Sequence, residues 1–145
     1  SGGPLLQGLQ FTPGVQMGKK TYAEKMAKPD KPEIVILEKP ALGCPAGAKL
    51  LIPTPRMIEA YVMAIPRGET RTPQQMRERL AADQKADVAC PLTSGIFLRI
   101  VCEASLDPDT DVDAPFWRVV DPKSPLAKKL PCGPELIQAR RDSEA

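Results

Sequence analysis

The stretch CPLTSGIFLRIVCEA, residues 90–104, constrains the fold more than any other part of this sequence. Its apolar residues recur at the spacing of one broad helical face: Ile96, Phe97, Ile100, Val101 and Ala104. Pro91 suits the first turn of a helix, whereas Ser94 and Arg99 fall off the apolar face. The pattern therefore predicts a helix that buries Phe97 and exposes small or basic residues near its start. Both a groove-reading helix and an ordinary core helix have this pattern, so the neighbouring segments decide between them.

The composition predicts one domain with an aliphatic core. The chain has 145 residues, of which 42% are hydrophobic and 4% are aromatic. Its formal net charge is only +2, so any surface that binds nucleic acid must be local. No apolar run approaches the ~18 residues of a membrane-spanning helix, and we expect no membrane partner.

The chain has four cysteines, Cys44, Cys90, Cys102 and Cys132, and no histidine. The absence of histidine excludes histidine-based zinc sites and the Ser–His or Cys–His pairs of nucleophilic enzymes. The thiols are scattered, and the first residues do not resemble a secretory signal peptide. We therefore expect a reducing compartment and a cytoplasmic protein.

The distribution of Gly, Pro and apolar residues along the chain predicts three regions. Residues 1–18 are rich in Gly, Gln and Pro and are expected to form a disordered tail. Residues 19–52 predict a small N-terminal appendage, with a short helix that Thr21 and Glu24 start as a capping box. Its two short apolar runs, EIVILE at residues 33–38 and KLLI at residues 49–52, predict strands that can pair. Residues 53–142 are expected to form the main domain.

Helices dominate the predicted main domain. Thr54 followed by Pro55, and Thr72 followed by Pro73 with Gln75 at the third helical position, are typical helix starts. Further helices are predicted over residues 90–104 and 134–141. The helix that begins at Thr72 and the helix over residues 90–104 have the outline of a helix-turn-helix. Between the later elements, the sequence predicts an acidic loop (LDPDTDVD), a strand or turn (PFWRVV) and a second loop over residues 121–133.

Several short strings, taken in order, resemble one protein family. They are IPRGETRT at residues 65–72, ACPLTSGIF at residues 89–97, PFWRVV at residues 115–120, and Cys132-Gly133 before the last helix. They resemble the DNA-binding C-terminal domain of alkylguanine-DNA alkyltransferases (methylated-DNA–protein cysteine methyltransferases) and of alkyltransferase-like proteins. ACPLTSGIF and PFWR are similar to the ACPITTGIF and PYWR of an uncharacterised subgroup. The resemblance covers about residues 53–142.

The resemblance implies a mainly α, winged-helix-like DNA-binding domain with a helix-turn-helix, here joined to a small β-containing N-terminal appendage. It implies double-stranded DNA, alkylated or not, as the partner, and a role in DNA repair; separately, we expect neither a cofactor nor a metal. Phe116 and Trp117 stand where the family has its alkyl-accepting Cys and activating His. Pro73 replaces the Tyr that helps to rotate the target nucleotide. We therefore expect no catalytic residue, and predict a non-catalytic DNA-binding protein that senses alkylated or damaged bases.

The resemblance, together with the helix start at Thr72 and the nearby basic and aromatic residues, suggests candidate binding residues. Those predicted to contact DNA are Arg71, Thr72, Gln74, Gln75, Ser94, Arg99 and Arg118, and those predicted to line a base pocket are Phe116 and Trp117. Arg67, Arg77 and Arg79 belong to the same wider basic group near the helix start at Thr72. Arg118 has an alternative role in bonding loop carbonyls, and Phe116 and Trp117 have an alternative place in the core.

Two other functions stay open. The near-neutral charge and the acidic loop over residues 107–113 favour a protein-interaction module that kept the fold without binding DNA. Cys90 or Cys102 would be the acceptor in an atypical alkyltransferase.

Overall fold

The computed structural model describes residues 21–145, which are mainly helical with one small sheet. The elements, in chain order, are α1 (Tyr22–Ala27), β1 (Glu33–Ile36), β2 (Lys49–Ile52), α2 (Pro55–Met63), α3 (Pro73–Asp83), β3 (Val88–Ala89), α4 (Pro91–Leu106), a 3-10 turn (Phe116–Arg118), α5 (Pro125–Lys129) and α6 (Gly133–Glu144). A mainly α fold with a small β part is thus confirmed. The predicted tail over residues 1–18 lies outside the described residues.

Side-chain caps start the early helices where the sequence predicts them. The hydroxyl of Thr21 accepts from the backbone N–H of Glu24, whose carboxylate accepts from the Thr21 N–H in return. Thr72 and Gln75 form the same reciprocal capping box at the start of α3. Thr54 Oγ1 accepts from the third residue of α2 at 3.1 Å. Because each cap satisfies an otherwise orphaned amide, these three helix starts follow from local chemistry.

The sheet ties the predicted appendage to the middle of the chain. β1 pairs with β2 antiparallel, as predicted, with Glu33 opposite Ile52. β2 also pairs in parallel with β3, a strand of only two residues that the sequence did not predict. The amide of Cys90, directly after β3, donates to the Leu51 carbonyl at 2.9 Å. This pairing places the start of α4 beside the sheet.

One aliphatic core joins the appendage to the helices. Met26 of α1 and Leu51 of β2 are fully buried in the same cluster as Ile58 of α2, Val101 of α4 and Ile137 of α6. β1 lies at the edge of the sheet and is exposed along its whole length. The appendage therefore packs on the helices through α1 and β2.

The phase of α4 differs from the prediction. Its buried residues are Ser94, Leu98, Val101, Cys102 and Ala104. Ile96, predicted to be buried, is 48% exposed, while Phe97 and Ile100 are half-buried. Apolar residues occupy nearly every side of this helix, so their spacing does not select one face. Packing against α1 and α2 selects the face instead.

The C-terminal third contains more helix than predicted. Of the two predicted alternatives for PFWRVV, strand or turn, the structure has the turn: Phe116–Arg118 form a single 3-10 turn. Residues 125–129, predicted as loop, form α5, in which the Ser124 hydroxyl accepts from the Ala127 amide. α6 continues three residues past its predicted end at Arg141. In the acidic loop, the Thr110 hydroxyl donates to the carbonyls of Ala104 and Asp107, and Val112 is buried.

Candidate nucleic-acid interface and neighbouring clefts

Arg118 holds three parts of the structure together. Its Nε and Nη2 donate to the Glu144 carboxylate at 3.0 and 2.7 Å, and its Nη1 donates to the Ile65 carbonyl at 2.8 Å. The side chains of Arg118 and Glu144 are only 14% and 8% exposed. All three guanidinium nitrogens donate within the protein, which favours the alternative structural role of Arg118 over the predicted DNA contact.

The Arg118–Glu144 pair shifts the ionisation of both groups. Hydrogen bonds from Arg118 lower the pKa of Glu144 to about 2 against the opposing effect of burial, and they raise the pKa of Arg118. The Gly68 amide, 3.5 Å from Glu144 Oε1, contributes in the same direction. Gly68 has a φ of +86°, which favours glycine, and a Cβ there would lie 3.2 Å from the Glu144 carbonyl. The IPRG turn therefore packs closely against the C-terminal end of α6 at Gly68.

Phe116 and Trp117 have different environments. Phe116 is 2% exposed and belongs to the core, so the prediction that it lines a base pocket is wrong. Trp117 is half-buried and meets Phe116 edge to face, with 5.7 Å between ring centroids. The Arg140 and Arg118 guanidinium carbons lie 5.3 and 5.8 Å from the centroid of the Trp117 ring. These are cation–π distances.

The indole nitrogen of Trp117 is an unusual donor. Nε1 is buried without a hydrogen bond of good geometry, yet it lies near enough to help lower the pKa of Glu144. The carbonyl of Trp117, by contrast, accepts from Arg141 Nε at 2.7 Å. The backbone of the 3-10 turn is therefore hydrogen-bonded to α6, and the half-buried indole ring of Trp117 lies at the surface.

Trp117 lines an open cleft of about 320 Å³, which we call the Trp117 cleft. Its lining residues are Met63, Arg67, Asp113, Pro115, Trp117, Arg118, Arg140, Ser143 and Glu144. Within residues 21–145, neither Arg67 nor Arg140 has a carboxylate within salt-bridge distance. Arg118 neutralises Glu144, which leaves Asp113 as the free acid. The cleft thus combines one aromatic face with two available guanidinium groups.

Near the start of α3, the predicted phosphate contacts are already engaged within the protein. Thr72 and Gln75 bond one another as the capping box. Arg71 Nη2 meets Glu69 Oε1 at 2.7 Å, and Nη1 donates to the Thr70 carbonyl. Gln74 Nε2 lies 3.4 Å from Glu78 Oε2. Thr72, Gln74 and Gln75 are exposed, so these side chains border solvent while they stabilise the helix.

The α4 residues do not present a groove-reading face. Ser94 is fully buried and its hydroxyl has no hydrogen-bond partner, so the prediction that it faces DNA is wrong. Arg99 is accessible but pairs with Glu103 at 3.1 Å. The residues that do face solvent include Leu92, 71% exposed, and Ile96 one turn later. These aliphatic side chains cannot make the hydrogen bonds through which most base edges are read.

The predicted binding residues are spread over four different clefts, and Gln74 lines one of about 520 Å³ beside α3 and β3. Arg71 and Gln75 line one of about 520 Å³ between α2 and α3, and Arg99 lines one of about 490 Å³ between α4 and α5. Trp117 and Arg118 line the Trp117 cleft. Sequence reasoning placed Arg67 in a wider basic group and missed Arg140. Nothing in QARR distinguishes Arg140 from Arg141, whose guanidinium bonds the Trp117 and Val120 carbonyls.

The cysteines proposed as alternative acceptors differ in accessibility. Cys102 is fully buried, and burial raises the pKa of its thiol far above the usual value, so it is unsuited to act as a nucleophile. Burial also raises the pKa of Cys90, but hydrogen bonding with Thr93 and the Leu92 amide outweighs this effect and lowers it. Cys90 is half-buried at the N-terminal end of α4.

Comparison of this chain with protein-family models, with curated proteins and with solved structures finds no match. The alkyltransferase-like resemblance consequently stays a prediction that depends on the short strings alone. Over residues 21–145, the helices are too short or too polar to cross a membrane.

Proposed function

We propose that this protein is a non-enzymatic DNA-binding module of the alkyltransferase-like kind, and that the Trp117 cleft contacts the nucleotide. One observation carries the proposal: the ring of Trp117 lies in an open cleft with two guanidinium groups, Arg67 and Arg140, that have no carboxylate partner among the described residues. An aromatic platform flanked by cations is the combination that binds exposed bases and their phosphates. A winged-helix-like placement of α3 and α4 belongs to the same proposal.

The cleft suits a base that has left its stack. Its volume, about 320 Å³, is at the small end of ordinary ligand pockets. Arg140 covers the ring of Trp117 at 5.3 Å, so an incoming base takes its place and releases the guanidinium to a phosphate. Stacking of this kind contributes about 1–3 kcal/mol per base. Because a damaged or mismatched base costs less to extrude, such a site prefers lesions.

The proposed role is recognition rather than chemistry. Phe116 and Trp117 supply neither a thiolate nor a base at the position of the acceptor site of the resembled family, and Cys102 is inaccessible. The cleft can make only two or three contacts between cationic side chains and phosphates, and this limits the affinity for DNA. We expect binding on the order of micromolar at low salt, with a log–log salt slope of roughly −2 to −3.

The experiment is a fluorescence anisotropy titration at two salt concentrations. The probes are labelled plain duplex, the same duplex with one O6-methylguanine, and the corresponding single strand. Arg67→Ala and Arg140→Ala should each reduce the salt slope by about one unit without changing lesion preference. Trp117→Ala should remove the preference for the modified duplex.

The matched control is Arg77→Ala. Arg77 lies on α3, lines a different cleft and has no carboxylate partner within residues 21–145, so its loss removes the same charge elsewhere. Arg77→Ala should leave both the slope and the preference unchanged. The absence of binding to all three probes at low salt would refute the proposal. Equal effects of Arg77→Ala and Arg140→Ala would assign the binding to general charge instead.

A further inference from the structure

The cleft between α4 and α5 is chemically different from the Trp117 cleft. We call it the α4–α5 groove; it has a volume of about 490 Å³ and is lined mainly by Pro91, Leu92, Gly95, Ile96, Leu126 and Lys129. Leu98 and Val120, both buried, border it from the core side. Most of its lining is therefore aliphatic or proline, with charges confined to a few side chains.

Two large aliphatic side chains of α4 stand in this groove without cover. Leu92 is 71% exposed and Ile96 is 48% exposed. They are four residues apart, so they stack one above the other on the same face of the helix. Leu126 and Pro125 of α5 face the same groove. Aliphatic side chains that are grouped in a groove in this way offer a partner apolar contacts.

Gly95 lies on α4 between Leu92 and Ile96 and, because it has no side chain, leaves the helix backbone uncovered there. A Cβ at this position would meet no atom within 4 Å, so core packing does not require glycine here. Glycine inside a helix costs about 1 kcal/mol relative to alanine. Its presence leaves the backbone of α4 bare at the centre of the groove, where a partner can approach closely.

The charges around the groove favour an acidic partner. Arg99 and Lys129 line it, against one acid, Asp121. Asp121 Oδ1 already accepts the Lys123 amide at 2.8 Å. Arg99 uses only Nε in its bond to Glu103, and Lys129 has no salt bridge within residues 21–145. Both terminal nitrogens of Arg99 and the Lys129 ammonium are therefore available to carboxylates on a partner.

We propose that the α4–α5 groove docks a short segment of a protein partner, one with leucine- or isoleucine-like anchors flanked by acidic residues. Helix-in-groove or extended recognition both use such apolar anchors with a charged rim. This inference does not rest on nucleic-acid binding, because it concerns α4 and α5 rather than the Trp117 cleft. Leu92 and Ile96 offer no hydrogen bond to a base edge, which favours a protein segment over DNA as the occupant.

The test begins with a random 12-residue peptide display library selected on the wild-type protein. We expect enriched sequences with two or more aliphatic anchors and adjacent Asp or Glu. The most enriched sequence is then synthesised with a fluorescent label and titrated by polarisation. Ile96→Glu and Leu92→Glu should each weaken its binding about tenfold or more, as loss of a central anchor does. Lys129→Glu should weaken it severalfold, with the larger effect at low salt.

Ile36→Glu is the matched control, because Ile36 is 54% exposed on β1, outside the groove. It should bind the peptide as the wild type does, and thermal unfolding should show that every variant is folded. No enriched motif, or full binding by both α4 variants, would overturn the proposal. Competition by plain duplex DNA would assign the groove to nucleic acid. A dimer in solution that Ile96→Glu makes monomeric would assign it to a second copy of the chain.

Discussion

Replacing Glu144 by glutamine should destabilise the fold through the loss of one charge. The carboxylate receives two hydrogen bonds from Arg118 and is 8% exposed. Exposed ion pairs contribute about 0–1 kcal/mol, and breaking a fully buried pair costs about 3–5 kcal/mol. The Arg118–Glu144 pair is largely shielded but lies at the rim of the Trp117 cleft. We therefore expect Glu144→Gln to lower the free energy of unfolding by about 1–3 kcal/mol.

The pH dependence gives this prediction its sharpest form. The pKa of Glu144 is about 2 in the folded protein, below the value of about 4.3 for an unperturbed glutamate. Its contribution is therefore complete above pH 4–5 and is lost as the pH falls toward 2. The stability difference between the wild type and Glu144→Gln should be full at pH 7, smaller at pH 3 and nearly absent at pH 2.

Urea unfolding, followed by the fluorescence of Trp117, measures this difference at each pH. Glu78→Gln provides the charge-matched control, because Glu78 is exposed and its nearest partner, Gln74, is 3.4 Å away. The control should change the unfolding free energy by less than about 0.5 kcal/mol. Equal stability of wild type and Glu144→Gln at pH 7 would refute the reasoning, as would a difference that persists unchanged at pH 2.

Three further outcomes test other parts of the structure. Leu98→Ala should lower the unfolding free energy by about 2–5 kcal/mol in urea titrations, and Phe97→Ala, which is half-buried, by about 1–3 kcal/mol; the reverse order would show that the phase of α4 is wrong. Incubation with O6-methylguanine duplex should add no mass to the protein, and a methylated cysteine in the mass spectrum would restore an enzymatic role. Maleimide should label Cys90 before Cys102 in peptide mapping, because burial raises the pKa of the second thiol and hides it; earlier labelling of Cys102 would contradict its burial.

The sequence predicts those features that depend on neighbouring residues. The capping boxes at Thr21 and Thr72 need only a partner three residues away, so their chemistry is visible in the chain itself. The β1–β2 pair likewise joins two apolar runs that are close in sequence. A two-residue strand such as β3 carries no periodic pattern, and its pairing with β2 depends on where α3 ends.

Features that depend on distant partners were not predictable. Ser94 is polar and small, and only the packing of α1 and α2 on α4 places it in the core. Arg118 bonds to Glu144, which lies twenty-six residues later in the chain, and this contact gives Arg118 a structural role. The same applies to Arg140, which lies over the Trp117 ring without a salt bridge among the described residues, while Arg141 is bound to carbonyls. The nucleic-acid site that we propose therefore lies at the turn against α6, whereas the resemblance also placed predicted contacts on α4.

Trp117 is the only tryptophan in the chain, so its fluorescence reports directly on the cleft assigned to nucleic acid. The decisive measurement is a titration of the protein at low salt with a duplex that carries one O6-methylguanine, followed by tryptophan emission and by anisotropy of the labelled DNA in the same samples. A base stacked on the indole ring should quench the emission in a saturable way, at the same DNA concentrations that raise the anisotropy. Unchanged emission during measurable binding, or no binding at all, would contradict a nucleotide site at Trp117.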